Sequence, residues 1–240
     1  VLDVSTGTGL AALLAAKAVG GTGLVVGIDL ADGALAVAQT NAARAGLRNL
    51  RFELLDSRNI VYRQMAFDAA LCSFGLPSVG QEQVLREVCR VLKEGATFHL
   101  LDWAPRDAPS GWDAFEEVLA AHATRTPSKT LAELREAADL VAKSGDAAWV
   151  RSPDAVVAKM RNAGFSNVLT ESHAAWADFP GMDDLAAFHA SFGWKEREFA
   201  EMGDAGRAAF HQALDERFRE YRQGDAIRLR WSVVRYFATK

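Results

Sequence analysis

Two features near the start of the chain have the residue types and spacing of a nucleotide-like binding site. The short apolar run Val1–Val4 leads into a loop of small residues, Ser5–Gly9. Glycines in such a loop permit positive φ and close approach of a ligand, and free N–H groups of the following helix face the same point. A second apolar run ends on Asp29, about 20 residues beyond the loop, where nucleotide-binding folds place an acid against ribose hydroxyls. The alternative is an ordinary strand-to-helix turn, with Asp29 capping the next helix.

The elements that would position these residues alternate between strand and helix patterns. After the loop, an Ala/Leu-rich segment predicts a helix from Leu10 to Val19. Later helices are predicted at 34–45 and 81–92, the first with Asp32 as its N-cap. Apolar runs predict strands at Leu24–Asp29, Leu50–Leu55, Phe67–Phe74 and Ala96–Trp103. This alternation predicts an α/β fold: a Rossmann-like, doubly wound, mostly parallel sheet in a three-layer αβα arrangement.

Acids follow three of the predicted strands. Asp3, Asp29 and Asp56 each lie at or near the end of an apolar run. In parallel α/β sheets, ligands bind outside the carboxyl ends of the strands. We therefore expect these acids to share one ligand site with the glycine loop.

The second half of the chain changes in character. A polar link, Pro105–Gly111, precedes predicted helical insertions, and Ile227–Thr239 alternates as a final strand. Most aromatic residues of this half are expected to be core, and a minority could line an apolar pocket. Helices are predicted at Gly181–Phe199 and Gly206–Gln223, where a substrate cover would sit. The predicted domains are a ligand-binding core at 1–107, a helical insertion at 108–151, and the rest of the sheet at 152–240 with the cover at about 181–223.

Composition restricts the functional classes. The net charge is −4 over 240 residues, which gives no electrostatic case for a nucleic-acid partner. Cys72 and Cys89 lack metal-ligand spacing and are expected to be reduced core residues, and no metal is expected. The absence of a bilayer-spanning apolar run or signal peptide favours a cytoplasmic location. Because the chain opens without Met inside the first predicted strand, we expect a fragment that lacks a preceding helix.

Four stretches resemble the class I S-adenosylmethionine-dependent methyltransferases, and most closely the ubiquinone/menaquinone biosynthesis C-methyltransferase type. Asp3–Gly9 is similar to the family's glycine motif, and Gly27–Asp29 to its ribose acid. Phe67–Leu76 resembles its fourth-strand motif, and Arg90–Gly95 its helix-to-fifth-strand signature. The resemblance extends to about residue 103, and it implies an antiparallel last strand.

The resemblance implies S-adenosylmethionine as the cofactor and assigns roles to individual residues. The methionine end would be held by Asp3 and the loop backbone, the ribose by Asp29 with Leu30 beside it, and the adenine amino group by Asp56 with Ser57. Ser73 and Phe74 would flank the sulfonium. The implied cofactor-binding set is therefore Asp3, Ser5, Thr6, Gly7, Thr8, Gly9, Asp29, Leu30, Asp56, Ser57, Ser73 and Phe74. The chain departs from the family pattern at Ser5, where many members have glycine or alanine, and at Glu94, where proline is usual.

The implied chemistry is in-line methyl transfer to a small, apolar or aromatic molecule. The protein would contribute alignment and exclusion of water, with a general base only if the nucleophile must lose a proton. No catalytic residue is identified; His189 and Asp102 are the candidates. The expected partner is a small-molecule methyl acceptor, and a homodimer is left open as the assembly.

Other functions remain open from the sequence. An NAD(P)-dependent oxidoreductase would use a similar turn and acid, and Ala12 at the third glycine position does not exclude it. A nucleic-acid or protein methyltransferase is disfavoured because Ser73–Pro77 lacks the usual polar-Pro-Pro-aromatic pattern. A cofactor-binding module without catalysis is the remaining alternative.

Overall fold

The computed structural model describes residues 1–105, 110–147, 151–191 and 194–240. The chain divides into two compact units. Unit 1 comprises Val1–Pro105, Asp146–His173 and Val233–Lys240, and unit 2 comprises Arg106–Gly145 and Ala174–Ser232. Most of the predicted link Pro105–Gly111 lies outside the described residues.

The first five strands along the chain lie in unit 1 and belong to a mostly parallel sheet. The strands run in the order β3-β2-β1-β4-β5-β8-β6, and the short β7 pairs with β8. β1 pairs in parallel with both β2 and β4, β2 with β3, and β4 with β5. β8 is antiparallel to β5, as the family resemblance implied. The strands are β1 Leu2–Val4, β2 Val25–Asp29, β3 Leu50–Leu54, β4 Phe67–Ser73, β5 Leu92–Trp103, β6 Ser166–Phe179, β7 Arg222–Gln223 and β8 Ala226–Thr239.

Helices cover both faces of this sheet. On β2, Val25 packs with Ala12 and Ala16 of α1, whereas its neighbour Val26 packs in a separate core. Successive strand residues point to opposite faces, so these two cores lie on opposite sides of the sheet. The second core contains Leu85 of α3 and Met160 of α6. The predicted αβα layering is therefore confirmed. The helices of unit 1 are α1 Leu10–Val19, α2 Asp32–Arg44, α3 Gln81–Val91 and α6 Pro153–Asn162.

Unit 2 has its own aromatic-rich core. Phe115, Phe210 and Phe218 are fully buried there, and Trp112 and Phe188 pack against them. The sequence-based view that most of these aromatics are core is therefore confirmed. The helices of this unit are α4 Gly111–His122, α5 Lys129–Ser144, α7 Met182–Ala190, α8 Lys195–Glu201 and α9 Gly203–Arg217.

Some predicted helix boundaries were wrong. The segment 181–199 holds two helices, α7 and α8, rather than one. α9 ends at Arg217, after which a short 3-10 turn and β7 occupy 219–223. Asp32 is the first residue of α2, and Ala31 is its N-cap, so the predicted capping role of Asp32 was wrong. Asp32 instead places a negative charge in the first turn, where the helix dipole favours it.

Candidate functional site

The glycine loop leaves the carboxyl end of β1 and is pinned to β2. The Thr6 N–H donates to the Ile28 carbonyl at 2.9 Å, and the Gly9 N–H donates to the Thr6 carbonyl at 2.9 Å. Gly9 has φ 85°, and a Cβ there would lie 3.0 Å from both Ala38 Cβ and Phe52 Cζ. Both the backbone conformation and the crowded packing therefore require glycine at this position.

Asp29 ties the loop to the start of α2. Its Oδ2 accepts a hydrogen bond from the Gly7 N–H at 2.8 Å, and its Oδ1 accepts from the Ala31 N–H at 2.9 Å. The Asp29 carbonyl accepts from the Leu55 N–H at 2.9 Å, which connects it to the segment leading to Asp56. One carboxylate thus fixes two turns at the same edge of the sheet. Leu30 beside it is exposed.

Asp3 is buried beneath the loop. Its Oδ2 accepts a hydrogen bond from the Thr6 hydroxyl at 2.6 Å. Its Oδ1 is buried, and no donor among the described residues lies in good hydrogen-bonding geometry to it. Burial raises the pKa of Asp3 to about 6, and the nearby charge of Asp29 adds to this rise. The Thr6 hydroxyl and the Ala12 amide partly offset it. An under-satisfied buried carboxylate next to the glycine loop is a candidate binding group.

Asp56 follows β3 and is paired with Arg58. The Arg58 guanidinium donates to Asp56 at 2.7–3.1 Å, and the Arg58 N–H donates to Asp56 Oδ1 at 2.8 Å. These hydrogen bonds hold the pKa of Asp56 below its usual value. Ser57, between them, is half-buried. The sequence predicted Asp56 as a site residue but did not predict that an arginine would share its oxygens.

Ser73 is the last residue of β4, and Phe74 follows it close to the glycine loop. Phe74 adopts a left-handed conformation with φ 55°, and Ser5 does the same. A Cβ added to Gly75 would overlap Ser5 Cβ, so the turn after β4 packs directly on the loop after β1. The Phe74 ring lies 4.4 Å from the ring of Trp103, which ends β5.

The candidate Asp102 is held in a buried ion pair. One oxygen contacts the Arg151 guanidinium, and the other accepts from the Trp103 N–H at 2.9 Å. Arg151 also donates to the carbonyls of Leu76 at 2.7 Å and Asp146 at 2.8 Å. Burial raises the pKa of Asp102, and the charge of Arg151 opposes that rise. Arg151 therefore connects the segments that follow β4 and β5.

The candidate His189 lies in α7, in unit 2. It is buried, and its ring stacks on Phe115 with centroids 3.6 Å apart and planes 8° apart. Its Nδ1 lies 4.0 Å from Glu116 Oε1, and its ring is 5.0 Å from that of Trp112. The structure places His189 and Asp102 in different units, and these surroundings give each a packing or pairing partner of its own.

A separate cavity of about 470 Å³ lies between α1 and one face of β4, β5 and β8. Leu14, Leu71 and Phe237 line it, together with His99 and Ser73. Burial lowers the pKa of His99, whose ring meets that of Phe237 edge to face at 4.9 Å.

The described residues contain neither a cluster of metal-ligand side chains nor a membrane-spanning helix. Across the described ranges, no three His, Cys, Asp or Glu side chains are grouped so that they could hold a metal ion. Within the same part of the chain, no helix has the length and apolar character needed to cross a membrane. Cys72 and Cys89 are buried free thiols.

The structure brings most of the predicted cofactor residues to one edge of the sheet of unit 1. Hydrogen bonds join Asp3, Thr6, Gly7 and Asp29, and Thr8 receives a bond from Asn41 at 3.1 Å through its carbonyl. Sequence reasoning missed the arginine partners of Asp56 and Asp102 and the aromatic pair at the ends of β4 and β5. Of these contacts, the pairing of Asp56 with Arg58 could have been suspected from the sequence, because Arg58 lies two residues after Asp56.

Comparison with known proteins supports the resemblance. Residues 1–95 match the model of a family described as a methyltransferase domain. The demethylmenaquinone methyltransferase of Shouchella clausii is 35% identical over 109 residues, which cover 45% of this chain and 46% of that protein. The resemblance read from the glycine, ribose-acid and fourth-strand motifs is thereby confirmed for this part of the chain.

Solved structures share the fold at low sequence identity. The YcgJ protein of Bacillus subtilis has a TM-score of 0.60 at 19% identity, with 100% of this chain and 90% of that chain covered. A phosphoethanolamine N-methyltransferase of Haemonchus contortus, in complex with phosphomonomethylethanolamine and S-adenosylhomocysteine, has a TM-score of 0.55 at 15% identity. That alignment covers 100% of this chain and 48% of the other. This chain spans about half the length of the curated relatives it matches.

Proposed function

We propose that this chain binds S-adenosylmethionine at the glycine loop and transfers its methyl group to a small, apolar or aromatic acceptor. The observation that carries the proposal is Asp29, whose carboxylate bonds the Gly7 N–H and the Ala31 N–H at the edge where parallel sheets bind ligands. The match to the methyltransferase family over residues 1–95 and the names of curated relatives such as the demethylmenaquinone methyltransferase of Shouchella clausii support the same activity.

The residues present fit this cofactor. Each carboxylate oxygen has two lone pairs, so each oxygen of Asp29 can accept a further bond from a ribose hydroxyl. The under-satisfied Oδ1 of Asp3 suits an ammonium group, since a buried carboxylate gains most from a positive partner. Asp56 already accepts from Arg58 but keeps acceptor capacity for an exocyclic amine.

The role of the protein in this reaction would be mainly positioning. When bound, the cofactor supplies a methyl group on a positively charged sulfur, so its leaving group needs no protonation. The loop and Asp29 would fix the cofactor's orientation, which provides the alignment that an in-line displacement needs. Asp102 is paired with Arg151, so we propose that it positions the end of β5 rather than removing a proton. Acceptors that need no strong base fit this arrangement best.

Titration calorimetry of the purified chain tests the proposal. S-adenosylmethionine, S-adenosylhomocysteine and NAD(H) are titrated separately into the wild type, Asp29→Ala and Asp32→Ala. Asp32 is an exposed carboxylate three residues away and serves as the matched control. Charged hydrogen bonds contribute about 1.5–3 kcal/mol each, so the loss of two ribose contacts should weaken S-adenosylhomocysteine binding by about 100-fold or more.

The outcomes separate the competing functions. The proposal is supported if S-adenosylmethionine and S-adenosylhomocysteine bind to the wild type and to Asp32→Ala but not to Asp29→Ala. Binding of NAD(H) instead would favour an oxidoreductase and overturn it. If S-adenosylmethionine and S-adenosylhomocysteine bind but quinol-like, phenolic and amine compounds take up no labelled methyl group, the chain would be a cofactor-binding module that does not catalyse methyl transfer.

A further inference from the structure

Three side chains of α3 hold the segment that connects β3 to β4. Gln83, Glu87 and Arg90 are four and three residues apart, which places them on one face of the helix. Their hydrogen-bond partners are backbone groups of residues 58–62, in the stretch that follows Asp56. We call these three side chains the α3 clamp. Because they bond to the backbone, they fix the path of this segment directly.

Glu87 and Arg90 bond to the middle of the segment. The Ile60 N–H donates to Glu87 Oε2 at 2.8 Å, and Arg90 donates to the Ile60 carbonyl at 2.6 Å. Arg90 also donates to the Tyr62 carbonyl at 2.9 Å and to both oxygens of Glu87 at 2.7 Å. A guanidinium can reach two carbonyls and a carboxylate at once because its donors are arranged as a planar fork. Both backbone groups of Ile60 are therefore held by the helix.

The clamp is connected to Asp56 through Arg58. Gln83 donates to the Arg58 carbonyl at 2.9 Å. A Cβ added to Gly80, the N-cap of α3, would lie 2.9 Å from Arg58 Cδ, so the arginine stem packs on the start of the helix. The Arg58 guanidinium donates to both oxygens of Asp56 at 2.7–3.1 Å. Because β3 ends at Leu54, strand pairing alone does not orient the Asp56 side chain.

The direction of the Asp56 carboxylate matters for recognition of an exocyclic amine. Arg58 occupies part of its acceptor capacity, and the remaining lone pairs are those that an adenine amine would use. A rotated carboxylate would lose this bond, because hydrogen bonds weaken steeply when the donor, hydrogen and acceptor depart from a line. Asp29 and the glycine loop are joined to each other on β1 and β2. A change in the clamp should therefore affect the adenine end of the ligand selectively.

On the basis of the proposed cofactor binding, we propose that Glu87 and Arg90 are positioning residues for adenine recognition, acting through segment 58–62 and Asp56. The clamp then sets the discrimination between adenine, which has an exocyclic amine, and hypoxanthine, which has a carbonyl oxygen in its place. Arg90 is the first residue of the stretch Arg90–Gly95, which resembles a family signature and otherwise has no role at the site.

Titration calorimetry with two ligands that differ in the base tests this inference. S-adenosylhomocysteine and its deaminated analogue S-inosylhomocysteine are titrated into the wild type and the variants. Arg90→Met removes the guanidinium bonds, Glu87→Gln keeps an acceptor for the Ile60 N–H, and Gln83→Ala removes one exposed bond. Arg86→Met is the matched control, because Arg86 lies on the same helix in an exposed i,i+4 ion pair. Urea denaturation establishes that each variant is folded.

The wild type should bind the adenine ligand about 10- to 100-fold more tightly, the range that one hydrogen bond to a charged group provides. Arg90→Met should reduce this ratio to below about threefold, and Gln83→Ala should reduce it about two- to threefold. Glu87→Gln should retain most of the ratio, and Arg86→Met all of it. In an Asp56→Ala background, Arg90→Met should not change the ratio further, because the acceptor through which it acts is absent.

Three results would overturn the inference while leaving the proposed function intact. The first is a wild type that binds both ligands equally well. The second is an unchanged ratio in folded Arg90→Met or, if that variant does not fold, in Gln83→Ala. The third is an equal loss of affinity for both ligands, which would give the clamp a purely structural role. Failure of the wild type to bind S-adenosylhomocysteine would instead refute the proposed function, on which this inference rests.

Discussion

Replacing Asp3 with asparagine should stabilise the protein at neutral pH and leave its stability at pH 4 less changed. The Asp3 side chain is 1% exposed, and burial is the largest cause that raises its pKa from 3.8 to about 6. The folded state therefore holds this proton more tightly than the unfolded chain. At 1.36 kcal/mol for each pH unit, the difference corresponds to about 3 kcal/mol.

The stability difference between Asp3→Asn and wild type grows with pH because the folded wild type holds the Asp3 proton more tightly than the unfolded chain. A group with a raised folded-state pKa contributes stability that is fully present below its unfolded pKa and is lost as pH rises through its folded pKa. For Asp3 the window runs from about pH 4 to just above pH 6. Asparagine is neutral throughout this window, and its carbonyl oxygen can still accept the 2.6 Å bond from Thr6. The stability of the variant relative to the wild type should grow by about 2.5 kcal/mol between pH 4 and pH 7.5, because a small part of the difference already appears below pH 4.

Urea denaturation followed by tryptophan fluorescence at several pH values measures this difference directly. The other ionisable groups largely cancel between the two proteins, and Asp32→Asn controls for the loss of a carboxylate at an exposed position. A difference between Asp3→Asn and wild type that is flat from pH 4 to pH 8 would refute the reasoning. The cofactor role implied for Asp3 adds a linked effect. Binding of S-adenosylhomocysteine should tighten as pH rises through 6 in the wild type but not in Asp3→Asn, because an ammonium partner favours the ionised acid.

Three further substitutions test the packing around the site and the candidates outside it. Gly27→Ala should lower the free energy of unfolding by about 1–3 kcal/mol and weaken S-adenosylhomocysteine binding, because its Cβ would lie 2.7 Å from Thr6 Oγ1. Arg151→Met should cost about 3–5 kcal/mol in urea denaturation, since it leaves Asp102 buried and unpaired; a cost below ~1 kcal/mol would contradict the ion-pair assignment. His189→Ala should cost about 2–4 kcal/mol through the cavity it opens, and calorimetry should find cofactor affinity unchanged; a large loss of affinity with normal stability would contradict a packing role.

The fold of unit 1 could be predicted because its sequence signals agree with one another. Apolar runs, a glycine turn and amphipathic segments alternate, and the structure has strands and helices close to those positions. α3, predicted at 81–92 and found at Gln81–Val91, is the clearest case, because its buried residues Val84, Leu85 and Val88 recur at helical spacing. Unit 2 was harder to predict, because its helices give weaker signals for where one helix ends. The single helix expected at 181–199 is two helices, α7 ending at Ala190 and α8 beginning at Lys195. Gly193 stands between them in the sequence, but a lone glycine in a helical pattern does not by itself require a break.

The candidate site could be predicted only where its chemistry is local in sequence. Asp29 and the glycine loop were found because their spacing along the chain is fixed by one strand–helix–strand unit. The pairing of Asp102 with Arg151 joins residues 49 positions apart, and no periodicity or motif connects them. Partners brought together by the tertiary fold are therefore the part of a site that a single sequence does not contain.

Residues with positive φ show where local sequence preference and tertiary structure agree and where they disagree. Glycines at Gly7 and Gly9 predicted positive φ in the loop, and both adopt it. Ser5 and Phe74 adopt the same region although neither residue type favours it, and each directly follows one of the neighbouring strands β1 and β4. Local propensity and tertiary structure disagree at these two positions and agree at the glycines beside them. Such disagreements tend to lie at functional sites, where a side chain is retained in spite of its backbone cost. Phe74→Gly should therefore relieve backbone strain while removing the packing of the Phe74 ring on Trp103, so two opposing effects on the free energy of unfolding are expected in urea denaturation.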